Sequence, residues 1–138
     1  MYIHISSDAS KNFFDNNTPS SFREKLPYTM HLEETHNFES ALIELTTPPL
    51  KSTYSPKYIL LNSQVCSSSI IKNSLRPILR RLSADDLGKT IEFTAPQYIP
   101  LTSHTVTVLE CYLTGDKDSE PSFTPGHLYA TLHIRKLH

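Results

Sequence analysis

The stretch TPSSFREKLPYTMHLEE, residues 18–34, constrains the fold more than any other part of the chain, because it alternates between apolar and polar positions. From residue 22 to residue 32 the even positions are Phe22, Glu24, Leu26, Tyr28, Met30 and Leu32, with the glutamate as the only polar one. Successive side chains of a β-strand point to opposite faces, so this pattern is typical of a strand with one buried face. We therefore predict a long strand over residues 21–33. Its even face lines the core, and its odd face meets water or a neighbouring subunit.

The same alternation recurs along the chain and gives eight candidate strands. They cover residues 2–7, 21–33, 39–46, 58–62, 65–82, 90–94, 104–114 and 127–137. The fifth contains Pro77, which a helix interior does not tolerate, so we expect an irregular extended segment with one helical turn at most. In the seventh, the apolar positions change from even to odd between Val108 and Leu109, which is the pattern that a β-bulge produces. The sequence thus predicts one all-β domain over residues 1–138, an eight-stranded antiparallel sandwich with short helical turns at most.

Composition and charge argue against several classes of function. The net charge is −1 and the pI is near 6.6, whereas dedicated nucleic-acid binders carry a basic excess, so we expect weak nucleic-acid contact at most. No apolar run approaches the roughly 20 residues of a membrane helix, and the first residues lack the basic and apolar regions of a secretory signal. Cys66 and Cys111 lie in strand-like segments, which predicts buried thiols in a reducing compartment rather than a disulfide framework.

No motif predicts catalysis or a cofactor. The chain lacks the G-x-S-x-G string of an α/β-hydrolase, and CSSSI at residues 66–70 has no neighbouring base. The segment HLEETH, residues 31–36, brings histidines and glutamates together but lacks the H-E-x-x-H spacing of a zinc site. A cupin-type metal site needs an H-x-H strand and glycine-bounded motifs, and the chain has only three glycines. We therefore expect no enzyme, no metal and no cofactor.

Five short segments follow one another in a characteristic order. They are NTPSSF at 17–22, FESALIEL at 38–45, ILR at 78–80, YIPL at 98–101 and TLHIR at 131–135. In order and spacing they resemble the motifs of the penton-like minor capsid proteins of Polinton (Maverick) elements and adintoviruses, over nearly the whole chain. Two departures are Phe38, where family members often carry Trp, and a compact length that leaves no room for a large receptor-binding insertion.

The resemblance implies a single jelly roll and a structural role in a virion. In that fold the first and last strands lie side by side in one sheet, of order B-I-D-G, and the long second strand lies in the other, of order C-H-E-F. The implied function is a penton-like vertex subunit that forms a homopentamer and contacts a major capsid protein. It would be made in the host cytoplasm or nucleus and not secreted. A glycan- or peptide-binding module is the alternative, because fold alone does not fix function.

Candidate contact residues come from two groups of side chains. Aromatic residues in loops are candidate subunit anchors, unless they fold back on the core. They are Phe13, Phe14, Tyr54 and Phe123. Three arginines within six residues form a solvated face, a polar subunit contact, or a surface with weak attraction to packaged DNA. They are Arg76, Arg80 and Arg81.

His4 and His133 are candidates for a pH-sensitive subunit contact. Both lie on the predicted outward faces of their strands, and the implied jelly-roll pairing places those strands side by side. Two adjacent imidazoles can titrate together near about pH 6–7. The alternatives are a pair of unrelated exposed residues and a metal site.

Overall fold

The computed structural model describes residues 1–8, 14, 16–33, 36–116 and 119–137. Strands dominate this part of the chain, and its one helix is a 3-10 turn at Ala84–Asp86. The strands are β1 (Tyr2–Ser6), β2 (Ser21–His31), β3 (Phe38–Thr46), β4 (Ile59–Ser63), β5 (Ser69–Ile71), β6 (Ser74–Arg76), β7 (Ile78–Leu82), β8 (Thr90–Glu92), β9 (Ile99–Pro100), β10 (Thr105–Gly115) and β11 (Tyr129–Lys136).

Eight of these strands form two antiparallel sheets in the order of a jelly roll. Sheet A has the order β1-β11-β3-β8, and sheet B has the order β2-β10-β4-β7. These orders correspond to B-I-D-G and C-H-E-F. The predicted pairing of the first and last strands is present, with Ile3 opposite Leu132 and Ile5 opposite Ala130. The prediction of an all-β jelly-roll sandwich is therefore confirmed.

Three short strands raise the strand number from the predicted eight to eleven. β9 pairs with β3 separately from β8, and β5 and β6 form a hairpin of their own. The hairpin lies inside the predicted irregular segment, residues 65–82. It forms because the chain reverses at Lys72 and Asn73. Both have positive φ angles, 48° and 62°, as a tight two-residue hairpin turn requires.

The core lies between the inner faces of the two sheets. Inward residues of the central strands are almost fully buried, for example Leu42 in sheet A and Leu61 in sheet B. Burying one such side chain stabilises the fold by about 1.5–3 kcal/mol. Cys66 and Cys111 are buried free thiols, as predicted, and burial raises their pKa values to about 11 and about 12.

β2 exposes one residue of its predicted inner face. Phe22, Met30 and Leu32 are buried as predicted, whereas Tyr28 is 70% exposed. The cause is a register shift: Val106 of β10 lies opposite Met30, and Val108 lies opposite Lys25. Residues 26–29 of β2 therefore face Thr107 alone, and a bulge of this kind takes side chains out of the alternating pattern. The prediction that Tyr28 lines the core is wrong for this reason.

The same register shift explains the change of apolar phase along β10. Residues that lie opposite each other share a face of the sheet. Across the shift β2 has three more residues than β10. Because three is an odd number, the inward positions of β2 stay even, whereas the inward positions of β10 change from even to odd. The bulge predicted between Val108 and Leu109 of β10 lies instead between Val106 and Val108, and the additional residues belong to β2.

Asn17 fixes the start of β2. Its Nδ2 donates a hydrogen bond to the carbonyl of Arg23, and its Oδ1 accepts one from the Arg23 N–H, both at 2.9 Å. Asn17 is only 5% exposed. This reciprocal pair gives Arg23 the bonds that a neighbouring strand would supply, so the loop before β2 is held against the edge of sheet B.

Asn17→Ala should lower the free energy of unfolding by about 1–3 kcal/mol, because it leaves two part-buried backbone groups without their partner. Asn17→Asp should lower it less, since the carboxylate still accepts from the Arg23 N–H. Urea unfolding curves of both variants measure the effect. Asn16→Ala, at the exposed neighbouring position, is the matched control and should leave the midpoint unchanged. An Asn17→Ala midpoint equal to that of the parent would contradict this account.

Candidate functional site

The outer face of sheet A carries a cluster of aromatic and charged side chains around His133. The pairing of β1 with β11 sets Tyr2 opposite His133, and their rings stack with centroids 4.6 Å apart. The Tyr98 hydroxyl lies 2.8 Å from His133 Nδ1. Arg135 lies over the Tyr98 ring at 3.4 Å from its centroid and forms an ion pair with Glu39 at 2.6 Å. We call these five residues the Tyr98 cluster.

The Tyr98 cluster holds the segment between β8 and β9 onto the sheet. Ala41 of β3 lies opposite His133 on the same outer face and is fully buried. Tyr98 provides the cover for this part of the face through its contacts with His133 and Arg135. The cluster therefore stabilises the fold, and its side chains already bind one another.

His4 and His133 lie on adjacent strands and on the same face, as the predicted pairing requires. They are diagonal neighbours, because His4 lies opposite Thr131 and His133 lies opposite Tyr2. Each has its own partner: His4 Nδ1 lies 3.1 Å from Thr131 Oγ1, and His133 binds Tyr98. Desolvation lowers the pKa of His133, and the positive charges of the N-terminal ammonium and Arg135 lower it further. A joint titration of the two imidazoles stays a prediction.

Two of the three arginines of the predicted cluster, Arg80 and Arg81, point in different directions. Arg80 lies over the Phe93 ring at 4.1 Å and donates a hydrogen bond to the Ala95 carbonyl at 3.2 Å, so it joins the edge of sheet B to the chain after β8. Burial lowers its pKa, and nearby Asp86 raises it. Arg81 lies on the other face of β7, over the Tyr58 ring at 4.8 Å.

Arg76 ends β6 of the hairpin, with one residue between it and β7, and is half-buried. The sequence could not separate these arginines, because it does not show that the hairpin ends before β7 begins. Arg80 and Arg81 lie on opposite faces of β7 and so do not share one basic surface.

The loop aromatics divide between two environments. Phe13 lies outside the described residues. Phe14 is half-buried beside Arg23, whose guanidinium carbon is 5.8 Å from the ring centroid. Tyr54 and Phe123 are partly buried and pack against the core cluster, which is the alternative stated for them above. These two residues are therefore better described as core cover than as exposed anchors.

The β5–β6 hairpin is an apolar surface that sequence analysis missed. Within the described residues its strands pair only with each other, with Ile70 opposite Leu75. These two side chains share one face and are 78% and 70% exposed. The sequence signal for this hairpin is IIKNSL, residues 70–75. Asn73 tolerates the left-handed conformation of a tight turn, and apolar residues stand on both sides of the turn.

The hairpin runs back along the outer face of sheet B. Lys72 in its turn donates a hydrogen bond to the Asp116 carbonyl and lies 5.9 Å from the centre of the Tyr58 ring. Tyr58 precedes β4 and Asp116 follows β10, whereas the chain leaves β4 for the hairpin at the opposite end, Ser63. All five residues of β4 are buried, as expected for a strand covered on both faces.

A groove of about 310 Å³ lies between β1 and the irregular part of β2. Its apolar lining includes Met1, Tyr2, Leu26, Tyr28 and Met30. β1 and β2 are edge strands of their sheets, so the groove opens at one side of the sandwich. Sequence analysis missed this groove because it assigned Tyr28 to the core. We call it the β1–β2 groove.

Gly115→Ala tests the close packing of Tyr54. A Cβ atom on Gly115 would overlap the Tyr54 hydroxyl, so we expect the substitution to cost about 1–3 kcal/mol of unfolding free energy. Tyr54→Phe removes the overlapping atom, and Gly115→Ala should cost at least about 1 kcal/mol less in that background. Thermal or urea unfolding of the parent, the two single variants and the double variant gives the coupling. Strictly additive effects would show that the two residues do not touch.

The lowered pKa of His133 predicts a pH dependence of stability. In the unfolded chain the imidazole has its ordinary pKa of about 6.5, so below that pH the unfolded state binds more protons than the folded state. His133 therefore contributes stability that is present above about pH 6.5 and is lost as the pH falls through its folded pKa. In His133→Gln the decrease of the urea midpoint between about pH 7 and pH 5 should be smaller than in the parent. His127→Gln, an exposed histidine elsewhere, is the control, and identical profiles for the parent and His133→Gln would refute the expectation.

Neither a metal centre nor a membrane span is present in the described ranges. No group of three or more histidine, cysteine, aspartate or glutamate side chains there could hold a metal ion, and Glu33 of the HLEETH segment instead contacts His36 at 2.8 Å and Lys136 at 3.5 Å. No helix among these residues is long and apolar enough to cross a bilayer. No protein-family model matches the sequence, and no curated protein matches it.

Proposed function

We propose that this chain is a structural capsid protein, a penton-like vertex subunit that forms a homopentameric ring and meets a major capsid protein in the virion. The observation that carries the proposal is the strand order of the two sheets, β1-β11-β3-β8 and β2-β10-β4-β7. This is the order that the resemblance to penton-like minor capsid proteins implies. Synthesis in the host cytoplasm or nucleus, without secretion, belongs to the same proposal.

The segments that carry the resemblance act in holding the sandwich together. NTPSSF contains Asn17, which binds the edge of β2. FESALIEL and TLHIR form most of β3 and β11, the two central strands of sheet A. YIPL contains Tyr98, which binds His133 across the outer face of that sheet. Residues of these segments hold strands and loops in place, and a structural function of this kind suits an architectural role.

The surface offers what ring assembly needs. A head-to-tail ring requires two different contact surfaces on every subunit. The exposed Ile70–Leu75 face of the hairpin and the β1–β2 groove are two such apolar surfaces, and they lie on different sides of the sandwich. A stable contact should bury more than about 1,000 Å² in total.

Contact with nucleic acid is weak at most in this proposal. Arg80 is engaged by Phe93 and Ala95, and Arg81 by Tyr58. The net charge of −1 gives no general attraction to a polyanion. The role therefore depends on contacts between proteins.

Negative-stain imaging of the purified protein tests the proposal. We expect five-fold rings, and light scattering should show growth from monomer to pentamer with concentration. Co-expression with a major capsid protein should place the chain in particles at a minor stoichiometry. A lasting monomer at high concentration, together with no incorporation into particles, would overturn the proposal.

A glycan- or peptide-binding module is the second candidate. The observation that favours it is the open β1–β2 groove, whose lining includes the exposed rings of Tyr2 and Tyr28. Aromatic rings at such a site can stack on sugars or on apolar side chains. Specific binding of a glycan or peptide by the isolated monomer, abolished by Tyr28→Ala, would favour this candidate over the capsid role.

A further inference from the structure

Three positively charged side chains gather around the ring of Tyr58. The Arg81 guanidinium carbon lies 4.8 Å from the ring centroid and Lys72 Nζ lies 5.9 Å from it, so both are within the range of a cation–π contact. Lys57 lines the same open pocket as Tyr58 and Arg81, and this pocket has a volume of about 380 Å³. We call these four residues the Tyr58 site.

The positive charge of the Tyr58 site is not neutralised within the molecule. Among the described residues, none of its three cations forms an ion pair with a carboxylate. Asp86 also lines the pocket, but its carboxylate accepts a hydrogen bond from the Ser83 N–H at 2.9 Å. Lys72 donates to the carbonyl of Asp116, which carries no formal charge. Like charges at this spacing repel one another, so a bound anion would lower the electrostatic energy of the site.

The contact of Arg81 with Tyr58 leaves the guanidinium available to a ligand. Arg81 is exposed, and its side chain donates no hydrogen bond to another described residue. A guanidinium that packs on an aromatic ring keeps its N–H groups in its own plane, where they can bind both oxygens of a carboxylate. Arg80 differs, because it already donates to the Ala95 carbonyl. Arg81 is therefore held in place by a ring while its donors stay open.

The charges beside the Tyr58 site favour a short acidic segment over a nucleic acid. Asp86 lies in the pocket lining, and Asp85 is its exposed neighbour in the 3-10 turn, so a long row of phosphates would meet repulsion next to the site. A single carboxylate on a flexible segment can enter without approaching them. Ser83 and Gln97 also line the pocket and offer neutral hydrogen-bonding groups to the backbone of a peptide.

We infer that the Tyr58 site docks an acidic segment of a different protein, with an Asp or Glu carboxylate bound by Arg81 and Lys57. Charge complementarity is the argument for this occupant, since it fixes which partners are attracted and which are repelled. The inference goes beyond the proposed function and does not rest on it, because the site is complete in one copy of the chain.

Fluorescence anisotropy with a labelled synthetic peptide tests the site. The probe is a short peptide of glutamate and serine, and its neutral counterpart carries glutamine in place of each glutamate. We expect the full chain to bind the glutamate peptide, with an affinity that falls as the salt concentration rises. The glutamine peptide should not bind.

Charge reversal locates the binding surface. Arg81→Glu and Lys57→Glu should each weaken binding of the glutamate peptide by about tenfold, because repulsion replaces attraction. Lys25→Glu is the matched control, since it changes the net charge by the same amount at an exposed residue of β2, and β2 and β7 are opposite edges of sheet B. Its affinity should equal that of the parent. Thermal unfolding of all variants verifies that they are folded.

Substitutions of Tyr58 separate an ordered site from a patch of surface charge. Tyr58→Phe keeps the ring, whereas Tyr58→Leu removes it and keeps every charge. We expect the first variant to bind as the parent does and the second to lose about threefold in affinity, because Arg81 loses the ring that orients it. Arg81→Lys should lose about as much, since it keeps the charge but not the planar fork.

Several results would overturn the inference. They are failure of the parent to bind the glutamate peptide, and equal affinity of the parent, Arg81→Glu and Lys57→Glu. Tighter binding of an oligothymidylate of equal charge would identify a phosphate site instead, and a change in self-association without a change in peptide binding would identify a contact between copies. Each of these results leaves the vertex role in place, because imaging of rings and incorporation into particles test that role separately.

Discussion

The antiparallel pairing of β1 with β11 determines how the rest of the sandwich is arranged. It brings residues 2–6 against residues 129–133 and makes β1 the edge of sheet A. At that edge β1 lies near β2, the corresponding edge of sheet B, so the groove between them depends on the pairing. The same pairing sets Tyr2 on His133, and His133 in turn holds Tyr98. One strand pair thus organises both the Tyr98 cluster and the open side of the molecule.

A second constraint acts in sheet B through the parity of the register shift. Paired residues share a face, so an odd shift between β2 and β10 has to reverse the inward phase of one strand. The core keeps its packing on both sides of the shift, because Met30 and Val106 are buried on one side and Phe22 and Cys111 on the other. Residues 26–28 of β2, which lie between these two points, line the β1–β2 groove. The irregularity of β2 and the β1–β2 groove therefore have the same origin.

Alternation in the sequence predicts the class and most of the core, because it depends only on which face a side chain takes, whereas the sheet order followed from the resemblance to penton-like capsid proteins. Met30 and Leu132 follow directly from that rule. Tyr28 does not, since its exposure depends on where β10 pairs with β2, and register is a property of two strands together. The hairpin at 69–76 was missed for a related reason. Its apolar residues face solvent, but in the sequence they have the same pattern as the residues of a buried strand. For Tyr54 the sequence left two alternatives open, a subunit anchor or cover for the core, because the contacts that decide between them are distant in sequence.

The pairing of the first strand with the last also affects how the chain acquires its structure during synthesis. Of the described strands β1 is made first, yet its only strand partner among them, β11, is made more than a hundred residues later. Until then Ile3 and Ile5 have no sheet to join, and sheet A lacks its second strand. Folds dominated by such distant contacts form slowly, and their nascent chains expose apolar strands to aggregation. β11, the last of the described strands to be made, thus completes sheet A, which delays the formation of the β1–β2 groove until the whole sandwich is in place.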